Sequence, residues 1–310
     1  MKEIIRTEEL TKVFGKHYAV DHVNLSIKKG EIYGFLGLNG AGKTTTIRML
    51  LGMISPTKGS SFLDGKKVSA GNTAIWNEVG YMVEAPHSYP ELTVEENLEI
   101  VRKLRGMKDR SAVSRIIKML KLETYTHKKA KHLSLGNAQR LGIAKAMIHQ
   151  PKILILDEPT NGLDPAGIIE VRRLLQDLAR NEAVTILISS HQLDEISKVA
   201  TNIGIINNGK LVKEINSSQL ENQLQKTLLV DGKRKTEMIS ILTQAGYQVT
   251  SFSEEDGDVL EIRNMDAIQH PDKIATLLVE ARHPPTLLKI EKEDLETYFL
   301  RIINNGGGVK

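Results

Sequence analysis

Residues 37–44 read G-L-N-G-A-G-K-T, a spacing that lets a turn wrap a chain of phosphates. The glycines admit backbone conformations that a Cβ would block and let the main chain approach anionic oxygens. The amides of Asn39, Gly40, Ala41, Gly42, Lys43, Thr44 and Thr45 then line the turn and the first turn of a helix, facing those oxygens. Lys43 brings a positive charge to the terminal phosphates, and the Thr44 hydroxyl is a natural ligand for Mg²⁺. Two carboxylates, Asp157 and Glu158, follow the apolar run 153–156. Asp157 in that place can hold Mg²⁺ through water, and Glu158 can polarise an attacking water as a general base. His191 closes another apolar run, 184–188. Taken alone, either stretch also reads as a Gly-rich turn or a strand ending in a turn.

The elements needed to position these groups are legible around them. Residues 32–36 read as a buried strand and 45–51 as a helix ending at Gly52, the strand–loop–helix context that a phosphate loop requires. The runs 153–156 and 184–188 are too short and too uniformly apolar for helices, and read as strands buried on both faces, as in parallel sheets. Strands alternating with helices give an α/β fold, in which ligands sit at the carboxyl ends of the strands. Upstream, 4–11 and 19–27 read as antiparallel strands. Phe14 and Tyr18 between them are candidates to stack on a base, and spacing alone does not choose. From Thr93 to His149 the pattern is helical, with Thr93 opening a capping box and Ser134 capping the helix before Pro151. A hairpin is expected around Asn208-Gly209. From residue 216 the order of elements becomes β-α-β-β-α-β, a small ferredoxin-like α+β unit followed by a terminal helix over 293–302 and a fraying tail from Asn304.

Composition excludes several classes. The 310 residues are 40% hydrophobic, carry a net charge of +4, and include no cysteine, so disulfides and thiolate metal sites are ruled out. No secretory signal and no transmembrane span is visible, so a membrane role would be borrowed from a partner chain. The charge is dispersed, and aromatics, at 4%, are too sparse for a nucleic-acid patch. His127, His132 and His149 read as surface or satisfied histidines, and the basic run 128–131 as a solvated face.

Six ordered motifs resemble the ATP-binding subunit of an ABC transporter, over residues 3 to 215. Residues 37–44 match Walker A, and 153–158 match Walker B with its catalytic glutamate. Asn161-Gly162-Leu163-Asp164 matches the D-loop, and 133–139 the signature motif. His191 matches the switch histidine, and 11–15 the segment that carries the adenine-stacking aromatic, which favours Phe14 over Tyr18. The signature reads L-S-L-G-N rather than L-S-G-G-Q, and Glu84 stands where most relatives carry glutamine. Both departures, with the context Glu84-Ala85-Pro86, Asp164-Pro165-Ala166-Gly167 and Leu295-Glu296-Thr297-Tyr298-Phe299-Leu300, resemble the bacitracin and lantibiotic self-protection exporters.

The resemblance implies a P-loop NTPase with a RecA-like parallel sheet, an antiparallel β subdomain and a helical subdomain over about 86–150. This ATP-binding domain would span 1–215, with an accessory domain over 216–310. ATP and Mg²⁺ are the implied cofactors, and no other metal. Glu158, His191 and Glu84 would act in catalysis, and Thr44, Glu84 and Asp157 would face Mg²⁺. Ser134, Gly136, Asn137 and Asp164 would join the Walker A residues and Phe14 around the nucleotide, in a head-to-tail sandwich with a second copy. A separate transmembrane permease would hold the chain at the cytoplasmic face of the plasma membrane. The competing class, soluble ATPases of the same type acting on DNA or ribosomes, typically shows long coiled-coil insertions or two heads per chain, and neither is present.

Overall fold

The structure, a computed structural model, describes residues 2–69, 71–84, 86–254 and 257–306. Ala85 and the tail from residue 307, both part of the sequence reading above, lie outside the described residues. The chain opens with β1 (Glu3–Phe14), β2 (His17–Val23), β3 (Ser26–Lys28) and β4 (Ile32–Leu36), then enters α1 (Lys43–Leu50). Next come β5 (Lys58–Leu63), β6 (Lys66–Lys67) and β7 (Val79–Met82). The helices α2 (Val94–Leu104), α3 (Ser111–Met119) and α4 (Leu135–Met147) lead to β8 (Ile153–Asp157). After these stand α5 (Pro165–Glu182), β9 (Thr185–Ser190), α6 (Leu193–Ser197), β10 (Asn202–Asn207), β11 (Lys210–Asn216) and α7 (Ser217–Gln223).

The central sheet runs β11-β10-β4-β9-β8-β7. Its pairs from β10 to β7 are parallel, and β11 joins the edge antiparallel. Every residue of β4, β8 and β9 is buried. Each large side chain there contributes roughly 1.5–3 kcal/mol by leaving water, which explains why these runs do not alternate. Because the strands are parallel, their carboxyl ends share one edge. The register sets Leu36 beside Ser190 and Asp157 beside Ser189. Sequence distances of more than a hundred residues collapse there.

A second, antiparallel sheet orders β2-β1-β5-β6, with β3 also on β1. The expected strand over 19–27 is interrupted, since β2 stops at Val23 and β3 starts at Ser26. Thr7 fills the gap: its hydroxyl donates to the Val23 carbonyl at 2.8 Å and accepts from the Leu25 amide at 2.8 Å. In the helical segment Thr93 forms the capping box, accepting from the Glu96 amide at 3.2 Å while Glu96 accepts from the Thr93 amide at 2.7 Å. Asn208 and Gly209 both take left-handed φ, 47° and 78°, at the β10–β11 turn, as a tight hairpin demands.

The chain divides into two compact units, one holding residues up to Leu220 together with those from Arg301 onward, the other Glu221–Leu300. The expected division after residue 215 is displaced because Leu220 of α7 is buried in the first unit. The closing residues return to that unit as well: Ile303 is buried, and its carbonyl accepts from Asn207 Nδ2 at 3.1 Å. The second unit holds β12 (Lys226–Asp231), α8 (Lys235–Gln244), β13 (Val249–Glu254), β14 (Gly257–Ile262), α9 (Met265–Gln269), α10 (Pro271–Glu280) and β15 (Leu287–Lys292). Its antiparallel sheet runs β13-β14-β12-β15, the strand order of a split β-α-β unit. Leu228, Val230, Leu242, Leu260, Ile262, Ile274 and Leu278 form its own core. The terminal helix α11 (Leu295–Gly306) runs through the start of the expected tail.

One histidine read as satisfied is only partly so. At the end of α4 the His149 ring bonds the Val79 carbonyl through Nε2 at 3.1 Å, while its buried Nδ1 has no hydrogen-bond partner. Burial, and then the nearby Arg105 charge, push its pKa down to about 4. The unfolded chain therefore binds more protons than the folded one between about 6.5 and about 4. Stability is expected to fall as pH drops through that window. His149→Gln should flatten this part of the profile, as chemical denaturation at stepped pH would show. An unchanged slope in the variant would remove His149 as the cause.

Candidate functional site

The phosphate loop leaves β4 at Leu36 and enters α1 through two left-handed glycines, Gly40 at φ 81° and Gly42 at φ 110°. A side chain at Gly42 would collide with the Ala19 carbonyl, and one at Gly37 would stand 2.6 Å from the Ile206 carbonyl. Gly42 is also the N-cap of α1 and supplies no side-chain cap, so the first amides of α1 keep no side-chain partner. Lys43 is only 6% exposed. Its ammonium donates to the Gly37 carbonyl at 2.7 Å and the Leu38 carbonyl at 3.4 Å, and lies 3.2 Å from Glu158 Oε1. Loop and cation are thus held by the chain's own contacts.

Asp157, buried at the end of β8, accepts from Thr44 Oγ1 at 2.8 Å and from Ser189 Oγ at 2.5 Å. Ser189 Oγ in turn accepts the Glu158 amide at 3.0 Å. The sequence reading missed this serine as a functional group. Its place beside Asp157 comes from the β8–β9 register, and the only signal was a pair of serines ending an apolar strand. Glu158 takes a left-handed φ of 49°, which turns its carboxylate away from the strand path. Its Oε2 lies 3.0 Å from His191 Nδ1. Lys43, Thr44, Asp157, Glu158 and His191 are therefore brought together. The residues present fit Mg²⁺: Thr44 Oγ1 and Asp157 Oδ2 are hard oxygens 2.8 Å apart. A hydroxyl as direct ligand and a carboxylate reached through water form a donor set that suits this hard, strongly hydrated ion. Among the described residues no cluster of three or more His, Asp or Glu could hold a metal alone, so a cation here would take its remaining ligands from phosphate and water.

A second group forms at the starts of α4 and α5. Ser134 caps α4, and its Oγ accepts from the Asn137 amide at 3.4 Å and from Asn137 Nδ2 at 3.0 Å. Both bonds end on the oxygen, leaving the hydroxyl hydrogen for another acceptor. Gly136 lies in the first turn of α4. Asp164 caps α5, with its carboxylate accepting from the Gly167 amide at 2.9 Å. That cap uses one carboxylate oxygen and leaves the other available to a further donor.

Glu84 follows β7 at φ 64°, and its carboxylate pairs with Arg48 of α1. Among the described residues it makes no hydrogen bond to Thr44, Asp157 or Glu158. Phe14 and Tyr18 are both about half exposed, and the Lys12 ammonium lies 5.1 Å from the Phe14 ring centroid.

The site can then be set beside known proteins. A family model described as ABC transporter matches residues 20–161. The chain is 40% identical over 306 residues to the bacitracin transport ATP-binding protein of Bacillus licheniformis, covering 99% of each chain. It is 39% identical to the protein of the same description from Enterococcus faecalis, over 99% of this chain and 98% of the other. A lantibiotic transport ATP-binding protein of Streptococcus pyogenes is 37% identical over 234 residues, 74% of this chain and all of its own. Among solved structures, a dimeric ATP-binding cassette in a post-hydrolysis state, bound to ADP and phosphate, is 26% identical with a TM-score of 0.63. That match covers 69% of this chain and 99% of the other.

Ser189→Ala should unpair both Asp157 and the Glu158 amide while leaving the phosphate loop intact. Loss of such a buried hydrogen bond is worth about 1–3 kcal/mol. Turnover of ATP is expected to drop about tenfold or more with nucleotide affinity within about threefold. Steady-state hydrolysis and equilibrium ATP binding measure the two separately, and equal losses in both would argue for general damage.

Proposed function

We propose that this chain, which belongs to the ABC transporter family and is one of its ATP-hydrolysing subunits, powers export of a peptide antibiotic of the bacitracin or lantibiotic kind and so confers resistance or self-immunity. The observation that carries this reading is the extent of the likeness: 40% identity over 99% of both chains reaches through Glu221–Leu300, beyond every nucleotide motif. No described helix is long and apolar enough to cross a membrane. The cargo path would therefore belong to a separate permease, which would hold the chain at the cytoplasmic face of the plasma membrane.

In this reading the amides of Asn39 to Thr45 cradle the phosphates, Lys43 meets the terminal ones, and Phe14 stacks on adenine. Thr44 and Asp157 hold Mg²⁺, which when bound offsets the charge of the phosphates. Lys43 and Glu158 form an ion pair. An arriving triphosphate takes over Lys43 and releases the Glu158 carboxylate toward water. Glu158 then accepts a proton as the water oxygen attacks the γ-phosphorus and the bond to ADP breaks. His191 holds Glu158 Oε2 from the other side and reaches toward the γ-phosphate. A second copy, head to tail, brings Ser134, Gly136 and Asn137 over that phosphate, with the free Ser134 hydroxyl hydrogen as donor. Closure on two nucleotides and reopening after hydrolysis are the strokes that move the permease.

Glu158→Gln should keep ATP affinity, because the amide preserves shape, and lose about 10²–10⁴-fold in turnover, the usual worth of a general base. Co-expressed with the permease, the variant should abolish protection against bacitracin or a lantibiotic. Retained turnover in the variant would refute the base, while a parent chain with normal turnover that gives no protection from either antibiotic would refute the cargo class.

The role of Glu84 separates the same way. Its pair with Arg48 is half exposed, so losing it should change ATP turnover less than about fivefold. Glu84→Gln is expected to lower antibiotic protection more than hydrolysis, and Glu84→Ala to lower both further. Paired hydrolysis and resistance assays decide. If Glu84→Gln equals the parent in both, the carboxylate at this position has no special part in coupling.

A further inference from the structure

The start of α4 and the turn before α5 interlock. Leu135, the first residue of α4, sets Cδ2 against Gly162, where a side chain would collide with it, and Gly162 takes φ 75°. The exchange is reciprocal, since Leu163 Cδ2 lies 3.7 Å from where a Cβ on Gly136 would stand. Large meets small in both directions. Farther along the two helices Arg140 of α4 pairs with Glu170 of α5. Leu135 nevertheless remains 53% exposed, so burial alone does not account for a leucine here.

The turn it touches is fastened to Glu158. The Asn161 amide donates to the Glu158 carbonyl at 3.1 Å, and the Leu163 amide to the Thr160 carbonyl at 3.1 Å. Thr160 Oγ1 donates to Glu195 Oε2 at 2.7 Å, and Asp164 closes the turn as the cap of α5. Glu158 itself holds a left-handed φ, a conformation that persists only where its surroundings enforce it. Packing contacts of this kind fall off within an ångström, so a shift at the start of α4 is passed to residue 162 or the contact is lost.

We propose that Leu135 is a positioning residue for hydrolysis: through Gly162 it ties the phosphate-facing start of α4 to the turn that holds Glu158. The seat of the base then follows the placement of Ser134. A signature segment drawn onto a nucleotide would set the base in the same chain, which serves that chain's own P-loop. The inference rests on the reading of Glu158 as the base.

The test uses the purified full-length chain and steady-state hydrolysis of Mg-ATP. Leu135→Ala should lower kcat about tenfold with KM for ATP within about twofold, and Leu135→Met, which keeps the volume, should recover most of it. Gly162→Ala should lower kcat through backbone strain at φ 75° and through collision, and adding Leu135→Ala, which relieves only the collision, should recover part of the loss. Wild-type kcat in Leu135→Ala, a rise in KM alone, no recovery by methionine, or effects at 135 and 162 that simply multiply would each overturn the proposal. If Gly162→Ala does not fold, the alanine and methionine variants at 135 decide alone. Glu158→Gln assayed alongside keeps the two readings apart. An active Glu158→Gln removes the base assignment, whereas an inactive one beside a fully active Leu135→Ala removes only the linkage.

Discussion

Asp157 is 3% exposed, and a carboxyl group buried so deeply must find its hydrogen bonds inside the protein. It takes them from Thr44 on the helix after β4 and from Ser189 on β9. Those two bonds join the ends of β4, β8 and β9 at one point, and the rest of the nucleotide face is arranged around it. Thr44 is fixed because α1 begins where the glycine turn ends. Glu158 is fixed because its amide shares the Ser189 oxygen. Lys43 and His191 then approach Glu158 from two sides. Neither Asp157 nor Ser189 could be moved to another strand without losing the parallel register that sets them side by side.

What the sequence discloses follows from how local each cause is. The loop glycines, Lys43 and Thr44 are legible because a turn that wraps phosphates restricts eight consecutive residues. The strand 153–157 is legible because burial on both faces leaves no room for alternation. Thr93 and Ser134 announce helix starts by side chains that bond an amide three residues on. Ser189 was not legible as a bridge, since its meaning comes from a register between strands separated by α5. Glu84 was read by likeness, and its partner Arg48 lies 36 positions away on a helix face that no spacing rule connects to it. Asp164 reads toward the nucleotide by likeness, and its spacing to Gly167 is also that of a helix cap. In the C-terminal unit the order of elements was legible from periodicity. The return of Ile303 to the first unit was not, because it depends on an amide of β10.

The charged groups on and beside the nucleotide face are paired with one another. Lys43 with Glu158, Glu158 with His191 and Arg48 with Glu84 place every one of these groups beside an opposite or titratable partner. A phosphate at Lys43 would compete with Glu158 for that ammonium, and Thr44 and Asp157 would hold a divalent ion beside it.

Glu84 and Glu158 share one backbone device and differ in how firmly it is held. Each follows a strand of the central sheet, and each takes a left-handed φ, 64° and 49°, that redirects the side chain away from the strand. At Glu158 the amide is bound by Ser189 and the carbonyl by Asn161, while the carboxylate touches Lys43 and His191. A conformation so over-determined keeps the carboxylate in place. Glu84 has one ion-pair partner, an exposed arginine, and a half-exposed carboxylate. A single surface pair is worth about 0–1 kcal/mol, little enough for a docking partner to exchange. One backbone device thus yields a carboxylate held on several sides at residue 158 and a loosely held one at residue 84.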